Sequence, residues 1–123
     1  MTGTVLYIDD VQDNVLLVQR LLRQARPDIE LHAASTGADG VTAAAGTRPD
    51  LILLDNRLPG TSGAQVLRQL AASPATAAIP VVILSGDSSP ATARGLLAAG
   101  AVDFLAKPFD IHQLLAVIGR YLP

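Results

Sequence analysis

The chain has 123 residues, of which 50% are hydrophobic, with a formal net charge of −2 at pH 7 and no cysteine. This length suits one domain with a sizeable core, and the composition excludes intrinsic disorder, disulfide frameworks and thiol chemistry. The small net charge provides no electrostatic footprint for nucleic acid, so we expect no direct nucleic acid binding. Without a secretion signal or an apolar run of about 18–20 residues, the chain is expected to be cytoplasmic and not to enter a membrane.

Short apolar segments alternate with helical patterns along the chain, which is typical of repeated strand–helix units and a parallel sheet. The predicted strands are residues 5–8, 29–33, 51–54, 81–84 and 102–105. The predicted helices are residues 13–25, 36–45, 63–72, 90–99 and 111–121. Pro27, Pro80 and Gly100 lie at the boundaries, where such residues end helices or precede strands. These elements fill the chain, so we predict one domain over residues 1–123.

The composition of the strands indicates their order. Parallel strands that are buried on both faces are continuously apolar, whereas edge strands alternate. Segments 5–8, 51–54 and 81–84 are continuous, which places them in the centre of the sheet. Segment 29–33 alternates and Asp103 interrupts the last strand, which places both at the edges. We therefore predict an α/β, doubly wound (βα)5 fold of the flavodoxin-like type, with five parallel strands in the order 2-1-3-4-5.

Polar residues follow the predicted strands at one edge of the sheet. Asp9 and Asp10 follow the first strand, Asp55 the third and Ser85 the fourth, and Lys107, the only lysine, follows the fifth. Ligands bind outside the carboxyl ends of the strands in such sheets, so these side chains are expected to converge. Three clustered carboxylates repel one another unless a cation lies among them. An oxygen-only ligand set favours Mg²⁺, with Mn²⁺ as the alternative.

Four motifs stand in order at these strand ends. They are Asp9-Asp10, Asp55-Asn56-Arg57-Leu58-Pro59-Gly60 with Gly63, Ser85-Gly86, and Asp103-Phe104-Leu105-Ala106-Lys107-Pro108-Phe109. Each motif alone is weakly specific, but the ordered set resembles the CheY-like receiver domain of two-component response regulators. The resemblance covers the whole chain.

The resemblance implies that Asp55 accepts a phosphoryl group from a phosphohistidine on a histidine kinase or a phosphotransfer protein. It also implies that Asp10, Asp55 and the main-chain carbonyl of Arg57 bind Mg²⁺ directly, while Asp9 acts largely through water. A carboxylate that attacks a negatively charged phosphoryl group needs cations on the incoming oxygens, which agrees with these roles. Such a domain catalyses only its own phosphorylation and dephosphorylation and is not a turnover enzyme.

The resemblance further assigns residues around the phosphoryl group. Ser85 would hydrogen-bond one phosphoryl oxygen, and Lys107 would pair with it through a loop containing a cis bond to Pro108. Movement of Ser85 would allow Phe104 to turn and so switch a partner-binding surface.

Two residues flank the approach of the water that would hydrolyse the phosphorylated site. They are Arg57, two positions after Asp55, and Asp87, two positions after Ser85. We expect this cation and this anion to form an ion pair that acts as a lid and tunes the lifetime of the phosphoryl group. In the alternative, Arg57 contacts the phosphoryl oxygens and Asp87 positions the water, which would speed the loss of the phosphoryl group.

The first helix has one apolar face and one polar face at helical spacing. The predicted core face consists of Val11, Val15, Val18 and Leu22. Leu16 lies opposite them, among polar side chains, and is the predicted docking position for the histidine-bearing partner.

The same residues bear on two other functions. A phosphatase of the haloacid dehalogenase type would have an Asp-x-Asp motif after the first strand and usually a cap domain. This chain has Asp9-Asp10-Val11 there and no room for a cap. A receiver-like interaction module that works without phosphate typically loses the acceptor or the lysine, and this chain keeps both. The stretch Gly60-Thr61-Ser62-Gly63 lacks the ending of a phosphate-binding loop and is interpreted as a turn and helix cap.

Overall fold

Strands and helices alternate through residues 3–123, the part of the chain described by the computed structural model. The strands are β1 (Gly3–Ile8), β2 (Ile29–Ala34), β3 (Leu51–Asp55), β4 (Arg57–Leu58), β5 (Thr61–Ser62), β6 (Val81–Ser85) and β7 (Asp103–Ala106). The helices are α1 (Gln12–Ala25), α2 (Gly37–Thr47), α3 (Gly63–Ala71), α4 (Pro90–Ala98) and α5 (Ile111–Tyr121). All the predicted elements are present, and none of the helices within residues 3–123 is both long and apolar enough to cross a bilayer.

The five longer strands form one parallel sheet in the order β2-β1-β3-β6-β7, which confirms the predicted order 2-1-3-4-5. Every residue of β3 and β6 is buried, because helices cover both faces of these central strands. Burial varies along β2, and only one residue of β7 is fully buried, as expected for strands at the two edges.

Two apolar layers enclose the sheet. Side chains alternate between the two faces of a strand, so Tyr7 and Leu53 join the layer beneath α1 and α5. Leu6 and Ile52 point the other way, into the layer that includes residues of α2, α3 and α4. This alternation places Tyr7, and the residue two positions after it, on the α1 side of β1.

The predicted apolar face of the first helix includes Val11, but α1 begins at the next residue, Gln12. Val11 is the N-cap residue, with an extended backbone, and it is 45% exposed, whereas Val15, Val18 and Leu22 are buried. The prediction that Val11 belongs to the core was wrong, because helical periodicity applies only from Gln12 onward.

A short antiparallel pair, β4 and β5, was not predicted. It follows β3 and is closed by a turn in which Gly60 has a positive φ of 73°, a conformation that favours glycine. Ser62 then caps α3 in a capping box with Gln65. The interpretation of residues 60–63 as a turn and helix cap is confirmed.

Candidate functional site

A cleft of about 700 Å³ opens at the carboxyl ends of the strands. Its lining includes Asp10, Asp55, Arg57, Ser85, Asp87 and Lys107. The parallel arrangement brings these residues together although up to 97 positions separate them in the chain (107 − 10). Asp9 is buried next to this lining, with 1% of its surface exposed.

Three carboxylates converge at the cleft. One oxygen from each of Asp9, Asp10 and Asp55 lies within 4.8 Å of the other two. Asp9 and Asp55 are buried, whereas Asp10 is exposed at the mouth. This oxygen-only set fits a hard divalent cation such as Mg²⁺, which is bound through carboxylates while it keeps several waters.

Lys107 is the cation that contacts the carboxylate cluster. Its Nζ lies 3.2 Å from Asp55 Oδ1 and 3.8 Å from Asp9 Oδ2, so the ammonium stands between two carboxylates. The Lys107–Pro108 peptide bond is cis, as expected. The backbone N–H of Lys107 donates to the carbonyl of Ser85 across 2.7 Å, which ties the end of β7 to the end of β6.

Asp9 is the most heavily hydrogen-bonded member of the cluster. Its Oδ2 accepts from the Tyr7 hydroxyl at 2.6 Å and from Asn14 Nδ2 at 3.1 Å, and its Oδ1 accepts from the backbone N–H of Val11 at 2.9 Å. Burial raises the pKa of the Tyr7 hydroxyl well above its ordinary value, and the hydrogen bond to Asp9 adds to the rise. Tyr7 therefore remains a protonated donor.

Tyr7 and Asn14 were not predicted as site residues. Tyr7 is part of a continuous apolar segment, which favours a core role, and Asn14 lies in a helical pattern. The spacing of Tyr7 and Asp9 was the available signal, because residues two apart on a strand share one face.

The Asp55 carboxyl group combines burial with like charge. Burial raises its pKa above the ordinary value; Lys107 opposes this shift, and the Asp9 carboxylate adds to it. The backbone N–H of Arg57 also donates to Asp55 Oδ1, at 3.4 Å. The side chain is thus held by one ammonium and one amide at the bottom of the open cleft.

Ser85 and Asp87 are linked to each other and to α4. The Ser85 Oγ accepts from the backbone N–H of Asp87 at 3.0 Å. The Asp87 carboxylate accepts from the Ser89 N–H at 3.0 Å and from the Thr92 hydroxyl at 2.8 Å, and these bonds lower its pKa. The expected ion pair with Arg57 is not among the close ion pairs of the described residues, although the Arg57 charge adds to the lowering of this pKa.

Phe104 and Leu16 lie outside the cleft lining. Phe104 pairs with Ile83 on β6 and is half-buried against the layer of α2, α3 and α4. Leu16 is 46% exposed on α1, and its neighbour Leu17 is 52% exposed.

Residues 5–119 match the response regulator receiver domain family. The chain is 39% identical over 119 residues to the response regulator PleD of Caulobacter vibrioides, a match that covers 94% of this chain and 25% of PleD. It thus spans about a quarter of the length of that relative. It is 32% identical over 118 residues to the protein PilH of Pseudomonas aeruginosa, with 96% of each chain covered.

Solved structures agree with this match. The receiver domain of the sensor histidine kinase PA1611 from Pseudomonas aeruginosa PAO1, solved with a magnesium ion coordinated in its active-site cleft, superposes with a TM-score of 0.88 at 26% identity, covering 99% of this chain and 98% of that one. The chemotaxis response regulator CheY4 of Vibrio cholerae superposes with a TM-score of 0.90 at 26% identity, covering 98% and 99%. The sequence match, the sheet order and the clustered acids lead to one conclusion: this chain belongs to the response regulator receiver domain family.

Proposed function

We propose that this chain is the phosphoacceptor receiver of a two-component or phosphorelay system, and that Asp55 takes a phosphoryl group from a phosphohistidine on a histidine kinase or phosphotransfer protein. One observation carries the proposal. Asp55 is a buried carboxylate at the floor of an open cleft, within 4.8 Å of two other acids and 3.2 Å from the only lysine of the chain. A structural role for the carboxylate would not require a cleft above it.

In the proposed reaction, an oxygen of Asp55 bonds to phosphorus while the bond from phosphorus to the histidine nitrogen breaks. The incoming oxygens are negative, so the attack requires positive charge around them. Lys107 contributes a fixed ammonium, and the Arg57 N–H holds the carboxylate in place. The domain is modified stoichiometrically and is not a turnover enzyme.

The acidic cluster would hold Mg²⁺, with Mn²⁺ as a substitute. Asp10, Asp55 and the main-chain carbonyl of Arg57 would bind the ion directly. Asp9 would contribute largely through water; its Oδ2 already accepts two hydrogen bonds and its Oδ1 accepts one. When bound, the ion supplies positive charge to the phosphoryl oxygens.

Ser85 and Phe104 would carry the signal away from the cleft. The Ser85 hydroxyl would leave the Asp87 backbone for a phosphoryl oxygen, and the half-buried Phe104 would turn into the space released. Arg57 and Asp87 both line the cleft, and the Arg57 charge helps to lower the pKa of Asp87, so the two residues would tune the phosphoryl lifetime together.

The histidine-bearing partner would dock beside the cleft on α1. Leu16 and Leu17 are exposed there. A partner on this surface would place its phosphohistidine next to the aspartate cluster, because α1 begins two residues after Asp10.

The proposal is tested with acetyl phosphate, Mg²⁺ and intact mass measurement. We expect the wild type to gain one phosphoryl group and Asp55→Asn to gain none. Asp50→Asn is the matched control, since Asp50 lies just before β3, at the opposite end of the strand from Asp55, and this variant should be phosphorylated normally. Equal phosphorylation of Asp55→Asn would overturn the assignment. Repeated hydrolysis of p-nitrophenyl phosphate would instead support the phosphatase alternative.

Removal of the metal should lower stability. Binding to the native state stabilises it by mass action, by about 2.7 kcal/mol when free Mg²⁺ is a hundred times Kd. Thermal unfolding with Mg²⁺ or with a chelator should show this gain in the wild type and in Asp13→Asn, an exposed acid in the first turn of α1. Asp10→Asn should lose it. If the melting temperature of the wild type is the same with Mg²⁺ and with a chelator, the proposed metal site is wrong.

A further inference from the structure

Two side chains donate hydrogen bonds to the same oxygen of Asp9, and neither of them lines the cleft. The Tyr7 hydroxyl donates to Asp9 Oδ2 at 2.6 Å and Asn14 Nδ2 donates to it at 3.1 Å, while Lys107 stands 3.8 Å from that oxygen. We propose that Tyr7 is a positioning residue that, together with Asn14, satisfies Asp9 and so directs Lys107 to Asp55. The inference rests on the proposed function, because the benefit is a phosphoacceptor with its cation in place.

Two carboxylates compete for one ammonium. Lys107 lies between two carboxylates, and the Asp9 side chain is fully buried, whereas the Asp55 side chain is 9% exposed. A buried carboxylate that lacks hydrogen-bond donors is costly, and it attracts a nearby cation more strongly than a better solvated one does. Two neutral donors on Oδ2 add to the Val11 N–H on Oδ1 in meeting that demand. The ammonium lies 0.6 Å closer to Asp55 than to Asp9 (3.8 − 3.2).

The donors are held by two rigid elements. The Tyr7 ring is 1% exposed and packs in the core layer beneath α1 and α5, so the position of its hydroxyl is set by the core. Asn14 lies in the first turn of α1 and approaches Asp9 from the helix side. A phenylalanine in place of Tyr7 would keep the packing and lose only the hydroxyl, which makes Tyr7→Phe a selective test.

Lys107 itself offers a direct readout, because it is the only lysine. Protein made with ¹³C,¹⁵N-lysine gives one set of lysine side-chain NMR signals. In metal-free protein without phosphodonor, we expect Tyr7→Phe to shift the Lys107 Cε and Nζ signals as the ammonium moves toward Asp9. With acetyl phosphate and saturating Mg²⁺, phosphorylation should slow by about tenfold, the size expected when a hydrogen bond to a charged group is lost.

Tyr121→Phe is the matched control, since the chain has two tyrosines and both hydroxyls donate to an aspartate. Tyr121 contacts Asp103, at the opposite end of β7 from Lys107, so its loss should leave the Lys107 signals and the phosphorylation rate unchanged. Lys107 signals in Tyr7→Phe that match the wild type would overturn the inference, whatever the rate. Equal shifts in the two variants would overturn it as well.

Asn14→Ala removes the second donor from a half-buried position and tests the inference independently if Tyr7→Phe folds poorly. It should shift the Lys107 signals in the same direction as Tyr7→Phe, and unchanged signals would contradict the inference. The lysine signals are measured without phosphodonor. A wild type that takes no phosphoryl group would therefore refute the proposed function, and the position of Lys107 would still be tested.

Discussion

The Asp55 carboxyl group sits where a negative charge is costly. The whole residue is 6% exposed, and burial raises the pKa of its carboxyl group, with Lys107 opposing the shift and Asp9 adding to it. The Asp9 carboxylate increases the cost of charge, and the Lys107 ammonium only partly offsets it. We expect a carboxylate whose charged form is disfavoured in this way to bind a cation or react with an electrophile readily.

This cost predicts the effect of Asp55→Asn on stability. Because the folded-state pKa lies above the unfolded value, the native protein binds more protons between those two values, and stability falls as pH rises through that window. Metal-free Asp55→Asn should therefore be more stable than the wild type at neutral pH. The gain should vanish as the pH falls below the ordinary aspartate pKa. Urea unfolding at a series of pH values measures both, and a less stable variant at neutral pH would show that the Lys107 contact outweighs burial.

At the scale of elements, the start of α3 shapes the loop that follows Asp55. The short β4–β5 pair leads into Ser62, whose side chain accepts from the N–H of Gln65 while Gln65 accepts from the N–H of Ser62. This reciprocal cap satisfies two donors at the start of the helix. The cap thus stabilises the segment that connects the proposed phosphoacceptor to α3.

Ser62→Ala should lower the free energy of unfolding by about 1 kcal/mol, the usual cost of losing such a cap. Ser88→Ala is the control, since Ser88 is an exposed loop serine and should change stability by less than about 0.5 kcal/mol. Chemical denaturation of the three proteins measures the difference. Equal stability of Ser62→Ala and the wild type would mean that water replaces the cap.

At the scale of the molecule, stability comes from the two layers that enclose the sheet. Leu53 is fully buried in the centre of β3, whereas Leu17 is 52% exposed on α1. Leu53→Ala should cost about 2–5 kcal/mol, because it removes apolar contacts and leaves a cavity. Leu17→Ala should cost less than about 0.5 kcal/mol. Urea unfolding checks the contrast, and a large loss in Leu17→Ala would place that side chain in a structural contact.

The fold was predictable because strand composition reflects burial on both faces. The continuous segment 51–54 and the alternating segment 29–33 were sufficient to place β3 in the centre and β2 at an edge. The exposure of Val11 was not predictable from periodicity, since the position of the helix start depends on cap geometry. A two-residue pair such as β4–β5 leaves too short a pattern to detect.

The candidate site was predictable where a residue type is unusual for its position. An acid such as Asp55 after a buried strand, and a single lysine in the chain, both stand out. Tyr7 does not stand out, because an aromatic residue in a strand is usually a core residue. Its role at the site is visible only from the hydrogen bond that its hydroxyl donates to Asp9. Asp87 was expected to pair with Arg57 on the basis of their opposite charges. Its hydrogen bonds to Ser89 and Thr92 at the start of α4 depend on the geometry of the loop, which opposite charges alone do not predict.

The solitary lysine has a practical consequence for handling the protein. Lys107 provides the one side-chain amine of the chain, and that side chain is 26% exposed beside Asp55. Amine-coupling reagents, such as succinimidyl esters used for dyes, biotin or sensor chips, would acylate it and abolish its charge. Labelling at this side chain would thus remove the cation beside Asp55. An introduced cysteine is the safer anchor, since the chain has no native thiol to compete for the reagent.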